Sequence, residues 1–280
     1  MVISNPHAGC TVAHSAPTWQ RWEHSTDVPQ SRPQPDPVPR RDRLQAVSDP
    51  GPEATRASVE YPVRAILFDI DGTLLTTGGA GASAWSQACE KLHGSPVDIE
   101  RITESGMTDS AVARAALQEV LGRDPAPIEL DALTGSYLDF LPEAVATSAN
   151  YRLSPGIVPL LERLTADGIS LGLTTGNIEP AARIKLERAD LNRFFGFGGF
   201  GSDSNLRPEL TRRGMERGIE QSGGELTRND FIAIGDTPLD ILAAHEIGIR
   251  IVGVATGLYG TEDLAQAEWA ISSVEHGFPL

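Results

Sequence analysis

Cysteine is nearly absent from this 280-residue chain: Cys10 and Cys89 are the whole supply. Two thiols cannot build a disulfide framework, so a reducing cytoplasm is the expected compartment. Lysine is equally scarce, with only Lys91 and Lys185. The formal net charge is −15, and no basic stripe offers itself to a phosphate backbone, so no nucleic-acid partner is expected. No run of about 18 apolar residues occurs, so no membrane span is expected. The opening "MVISNPHAGCTVAHSAPTW" has neither a basic n-region nor an apolar h-region, which argues against a secretory leader. The letters "AGC" at Ala8 to Cys10 match a lipoprotein site, but no apolar run precedes them.

Hydrophobic residues make up 40% of the chain, enough for one large domain or two modest ones. Residues 1 to 60 stand apart. Nine of the 20 prolines fall there, and "SRPQPDPVPRRDR" carries no apolar period. Such a segment buries too little surface to offset its ordering entropy and is expected to be a disordered, Pro-rich tail.

From Val63 onward short β-rich runs alternate with helical stretches. "VRAILFD", "ISLGLTT" (Ile169 to Thr175), "DFIAIGD" (Asp230 to Asp236) and "IRIVGVA" (Ile249 to Ala255) read as buried parallel strands. Helices are expected over Ile157–Asp167, Glu179–Asp190, Glu209–Gln221 and Leu239–Ile247, with Gly168 and Gly248 behind the first and last. The alternation implies right-handed βαβ units in an α/β fold, with functional groups at the carboxyl ends of the strands. One gap of nearly a hundred residues breaks the rhythm. It holds helical patterns at Ala84–Leu92, Asp109–Leu121 and Leu130–Thr147, too much for a crossover. The expected organisation is a core over residues 61–77 and 154–280 with a helical domain inserted at 78–153. The Gly-rich "TTGGAGA" and the "LSPG" at Leu153 to Gly156 would be its hinges.

The strand ends carry the chemistry. "FDIDGTLL" places Asp69 and Asp71 two residues apart at the end of the first strand, so an extended backbone aims both the same way. Two adjacent carboxylates are tolerable if a cation neutralises them, and Mg²⁺ suits an all-oxygen site shared with a phosphate. "IGDTPLDI" places Asp236 at another strand end with Asp240 four residues later; Asp236 also suits a helix cap, with Pro238 in the first turn. "LGLTTGN" ends in Thr175, Gly176 and Asn177, whose hydroxyl and N–H groups can hold a phosphoryl oxygen. Arg207, with Arg212 and Arg213 as competitors, is the cation for the transition state.

These motifs, in this order, resemble the haloacid dehalogenase superfamily, and within it the phosphoglycolate phosphatase-like members with an inserted helical cap. The resemblance runs from about Val63 to the C-terminus. It implies a Rossmann-like parallel sheet core and an aspartyl-phosphate mechanism. Asp69 matches the nucleophile and Asp71 the general acid and base. Asp69, the Asp71 carbonyl and Asp236 match the Mg²⁺ ligands, with Asp240 in support. Thr175 matches the phosphate-binding hydroxyl, with Gly176 and Asn177 beside it. Arg207 stands where the family usually has lysine, a departure that leaves this role open among the three arginines. Ile70 after the first aspartate separates the chain from P-type ATPases, and Asp71 separates it from the true dehalogenases.

Other signals carry less. "GFGGFG" (Gly196 to Gly201) matches G-x-G-x-x-G but does not open a helix after a first strand, so it reads as an edge strand or loop rather than a dinucleotide site. His245 reads as packing or surface, and Trp85 as cap core or as a residue facing the substrate. "SGMTDSAV" places Thr108 and Asp109 ahead of an apolar-periodic run, as a helix cap or as cap residues that touch substrate. The expected activity is Mg²⁺-dependent hydrolysis of a small phosphorylated metabolite by a monomer or homodimer. A phosphomutase and a non-catalytic phosphoryl-ligand-binding regulator are the alternatives.

Overall fold

Four of the apolar runs become the centre of one parallel sheet in the structure, a computed structural model that describes residues 62–280. The expected tail over residues 1–60 lies outside the described residues. The sheet has six strands: β1 (Ala65–Phe68), β4 (Ser170–Thr174), β5 (Phe197–Gly199), β6 (Phe231–Gly235), β7 (Arg250–Val254) and β8 (Trp269–Ile271). Their order is β5-β4-β1-β6-β7-β8, and every pairing is parallel. β1 lies between β4 and β6, with Phe68 in register with both Leu173 and Ile234. Its AILF run is fully buried because both faces of a parallel sheet are covered.

Helices α5 (Ile157–Ala166), α6 (Glu179–Glu187), α7 (Arg207–Gln221) and α8 (Pro238–Ile247) provide that cover. One face buries Ile66, Phe68, Leu161 and Leu173 together, and the other buries Leu67, Met215, Phe231 and Ile241. α7 begins two residues before the sequence pattern suggests, since the pattern starts at Glu209 and the helix at Arg207. Pro208 fits the first turn, where its missing N–H costs nothing. "GFGGFG" supplies β5, the edge strand. Its glycines admit α7 at close range: a Cβ on Gly199 would lie 1.7 Å from the Leu210 carbonyl oxygen.

Between β1 and β4 a two-stranded antiparallel ribbon pairs β2 (Leu75–Thr76) with β3 (Arg152–Leu153). The chain between its strands is helical: α1 (Ala80–His93), α2 (Ile99–Ile102), α3 (Asp109–Leu121) and α4 (Pro127–Thr147). These helices share a core of Ala84, Ala88, Leu117, Leu133 and Leu141, against which Ile178 and Ala181 at α6 also pack. No helix among the described residues is long and apolar enough to cross a membrane.

Candidate active site

Asp69 follows directly on β1 and is buried, held by its N–H donating to the Ile234 carbonyl across the neighbouring strand. The turn that follows depends on Gly72. Its φ of +84° is open to glycine, and a Cβ there would lie 2.2 Å from Asp236 Oδ2. The chain after β1 therefore passes directly over the chain after β6. Asp236 is buried there and accepts a hydrogen bond from Thr73 Oγ1 at 3.2 Å. Asp240, in the first turn of α8, forms a capping box with Thr237: the Thr237 N–H donates to Asp240 Oδ2 at 3.1 Å, and the Asp240 N–H donates to the Thr237 hydroxyl at 3.2 Å.

Oxygens of Asp69, Asp236 and Asp240 lie within 4.8 Å of one another. Arg207 reaches in from the start of α7. Its Nη2 lies 3.0 Å from Asp69 Oδ1, and its Nε and Nη2 donate to Asp240 Oδ1 at 2.9 and 2.5 Å. Arg212 and Arg213 turn outward instead, to Glu209 and Glu216, so Arg207 alone of the three candidates enters the site. Three carboxylates against one guanidinium leave an excess of negative charge. Burial, with repulsion from Asp240 and Asp71 opposing the pull of Arg207, pushes the Asp69 carboxyl up to about 7. Burial and repulsion from Asp69 and Asp240 push Asp236 up to about 8. A divalent cation would balance this charge, and an all-oxygen cluster of three carboxylates fits Mg²⁺.

Asp71 faces away from that cluster. Its Oδ2 accepts from Lys185 Nζ at 2.7 Å and from Asn177 Nδ2 at 2.7 Å. Desolvation in the cleft would raise its pKa, but Lys185 and Asn177 outweigh it and hold the carboxyl below the usual carboxylate range. Asn177 Nδ2 also donates to Thr175 Oγ1 at 2.8 Å, which ties the loop after β4 to the loop after β1. Lys185 is a functional candidate that the sequence reading gave no role. It lies on α6, is only 6% exposed and is one of two lysines in the chain. A polar residue on the buried stripe of an otherwise ordinary helix was the signal.

The helical insertion closes the other side. Asp109 N–H donates to the Gly176 carbonyl at 2.8 Å, and Asp109 Oδ2 accepts from Ile178 N–H at 2.9 Å. Burial pushes the Asp109 carboxyl up to about 6 despite the attraction of Lys185. Thr108 takes the helix-cap role, one of its two sequence readings. Its hydroxyl accepts from the Ala111 N–H and donates to Asn205 Oδ1, so it caps α3 and links it to the core. Trp85 is buried, as expected for cap core, and also forms part of the cavity wall. His245 is a half-exposed surface residue beside Glu268. The cavity between the two sides has a volume of about 210 Å³ and is lined by Asp69, Asp71, Thr175, Lys185, Arg207 and the insertion side chains above them.

Residues 63–248 match the family model described as haloacid dehalogenase-like hydrolase. The chain belongs to this family. Among relatives, it is 27% identical over 207 residues to a probable phosphatase IndB of Dickeya dadantii, covering 72% of this chain and 86% of that one. It is 28% identical over 195 residues to a phosphoglycolate phosphatase of Agrobacterium fabrum, covering 68% and 80%. A crystal structure of a predicted phosphoglycolate phosphatase from Haemophilus somnus shares the fold. It has a TM-score of 0.59 and 20% identity, over 75% of this chain and 94% of that one. The matched family is one of hydrolases.

Proposed function

We propose that the protein is a Mg²⁺-dependent phosphatase that hydrolyses a small phosphorylated metabolite through an aspartyl-phosphate on Asp69. One observation carries the reading: the two aspartates after β1 sit in opposite surroundings. Asp69 lies among carboxylates with Arg207, while Asp71 pairs with Lys185 and Asn177. Carboxylates in contrasting environments take different chemical roles. The names of the similar proteins, phosphatases among them, support the same reaction class.

In this reading Asp69, Asp236 and the Asp71 carbonyl hold the metal, with Asp240 in support. Bound there, Mg²⁺ supplies the positive charge that lets a carboxylate approach a phosphate dianion. Arg207 fixes the Asp69 carboxylate through Oδ1 and presents its guanidinium to the charge that builds on the phosphoryl group. An Asp69 oxygen bonds to phosphorus as the ester P–O bond breaks, and Asp71 gives a proton to the departing oxygen. The incoming dianion competes with Asp71 for the Lys185 ammonium. As that ion pair loosens, the Asp71 pKa rises toward the range in which it carries a proton. Asp71 then takes a proton from the water that attacks phosphorus, which frees Asp69 and releases inorganic phosphate. Thr175, Gly176 and Asn177 position the phosphoryl oxygens. Residues 78–153 act as a cap that excludes bulk water, hinged at the β2–β3 ribbon, and the enzyme works in the cytoplasm.

The test is phosphate release from a panel of phosphorylated metabolites, with Mg²⁺ and with EDTA, beside Asp69→Asn. Release that needs Mg²⁺ and vanishes in the variant supports the mechanism. Release that persists in Asp69→Asn sinks it.

A further inference from the structure

Tyr137, on α4, is the least explained residue of the cavity wall. It is fully buried, yet its hydroxyl has no hydrogen-bond partner, and an unpartnered buried hydroxyl is costly unless a ligand completes it. Its ring stacks on Trp85 with centroids 3.8 Å apart and planes 2° from parallel, which fixes its position. Tyr137, Asp109 and Asp71 line the same cavity, and burial first, then the two carboxylates, push the tyrosine's pKa up. Asp109 is anchored beside it by the Gly176 carbonyl and the Ile178 N–H.

The insertion side of the cavity contains no Lys, Arg or His; its one charged group is Asp109. The only cations in the wall are Lys185 and Arg207, both already paired with core carboxylates. A carboxylate on the leaving group would therefore meet Asp109 with no cation nearby except Lys185, whose charge Asp71 and Asp109 already share. A hydroxyl would fit, because it can donate to Asp109 and accept from Tyr137 at once. The volume of about 210 Å³ corresponds to roughly seven waters, which suits a leaving group of a few carbons rather than a nucleoside.

Building on the phosphatase reading above, we infer that Tyr137 and Asp109 form a leaving-group subsite for small, neutral, hydroxylated phosphomonoesters, and that this subsite rejects carboxylated ones such as phosphoglycolate. Like charges brought together at a recognition site are strongly discriminating.

The experiment compares kcat/KM for matched esters with the full chain in Mg²⁺: 2-hydroxyethyl phosphate against phosphoglycolate, and glycerol 3-phosphate against 3-phosphoglycerate. p-Nitrophenyl phosphate and the Asp69→Asn variant report the underlying chemistry. The hydroxylated member of each pair is expected to win by at least about tenfold. Tyr137→Phe is expected to shrink that ratio by lowering the hydroxylated ester, and Asp109→Asn to shrink it by raising the carboxylated one. Equal rates, a preference for the carboxylated esters, or ratios unchanged in both variants would overturn the subsite while Asp69-dependent release leaves the phosphatase standing. No Asp69-dependent release from any of the five compounds would overturn both.

Discussion

Lys185 Nζ donates to Asp71 Oδ2 at 2.7 Å across 114 residues of sequence, and it does so from a site with almost no solvent contact. Asp71 and Asp109 together outweigh the desolvation that would otherwise neutralise this lysine, and its pKa is raised. The one lysine of the cavity wall thus comes from α6, while Arg207 occupies the start of α7.

Replacing Lys185 by Gln is expected to lower kcat/KM by about 10²–10³-fold, the usual cost of losing a preorganised charge at a reacting centre. The same variant has a stability signature. The folded pKa of Asp71 is depressed, so its contribution is present above the ordinary carboxylate range and is lost as pH falls through the lowered value. The gap in Tm between wild type and Lys185→Gln should therefore hold from pH 7 down toward the ordinary 3.8 and shrink below it. A gap that stays constant would mean that the pair contributes nothing beyond packing.

The metal cluster has the opposite sign. Asp69 and Asp236 titrate near 7 and near 8, above the ordinary 3.8. Their folded forms hold protons that the unfolded chain gives up. The metal-free protein should lose stability as pH rises from about 4 through about 8. Mg²⁺ binds the ionised cluster, so it should raise Tm more at pH 8 than at pH 5, and its affinity should climb over the same window. Calorimetry at fixed Mg²⁺ checks this, and a Tm rise that does not change with pH would contradict it.

Arg207 is predicted to be structural as well as chemical. With 9% of its side chain exposed and bonds to Asp69 and Asp240, its loss strands buried carboxylates. Arg207→Met should cost about 3–5 kcal/mol in the absence of metal, and Mg²⁺ should recover part of it. Arg207→Lys keeps the charge but not the paired donors to Asp240 Oδ1, so it should fold and yet lose activity. Urea denaturation with and without Mg²⁺ separates the two effects.

The parts of this arrangement that were legible in the sequence are those encoded within a few residues. "FDIDG" and "GDTPLD" each set two carboxylates at a fixed spacing on a strand end, and the sheet brings Asp69, Asp236 and Asp240 within 4.8 Å. For Lys185 the only mark was a polar residue on the buried stripe of α6, and the EPAARIKLE pattern does not say which partner waits 114 residues away. The β2–β3 ribbon is two residues on each strand, too short to leave a period-two pattern. β5 was ambiguous because FGG has poor strand propensity; its glycines serve the approach of α7 rather than the strand. Tyr137 reads as one more apolar position of α4, and nothing local marks its hydroxyl as unpartnered.

Gly176 links the two sides of the cavity. Its carbonyl accepts the Asp109 N–H, and a Cβ on it would lie 2.7 Å from the Met107 carbonyl oxygen and 3.2 Å from Thr108 Cα. Backbone is the obstacle at both points, so the strain cannot be relieved by a side chain swinging away. Gly176→Ala should push the Gly106–Asp109 segment off the loop after β4 while leaving the sheet intact. Substrate would then bind a looser site, with KM raised about tenfold or more and Tm changed little, since a displacement of about 1 Å is enough to cost 10²-fold in well-positioned chemistry. Amide hydrogen exchange at Asp109 should speed up in the variant, because its acceptor has moved. Unchanged exchange together with unchanged KM would show that the insertion does not depend on this contact.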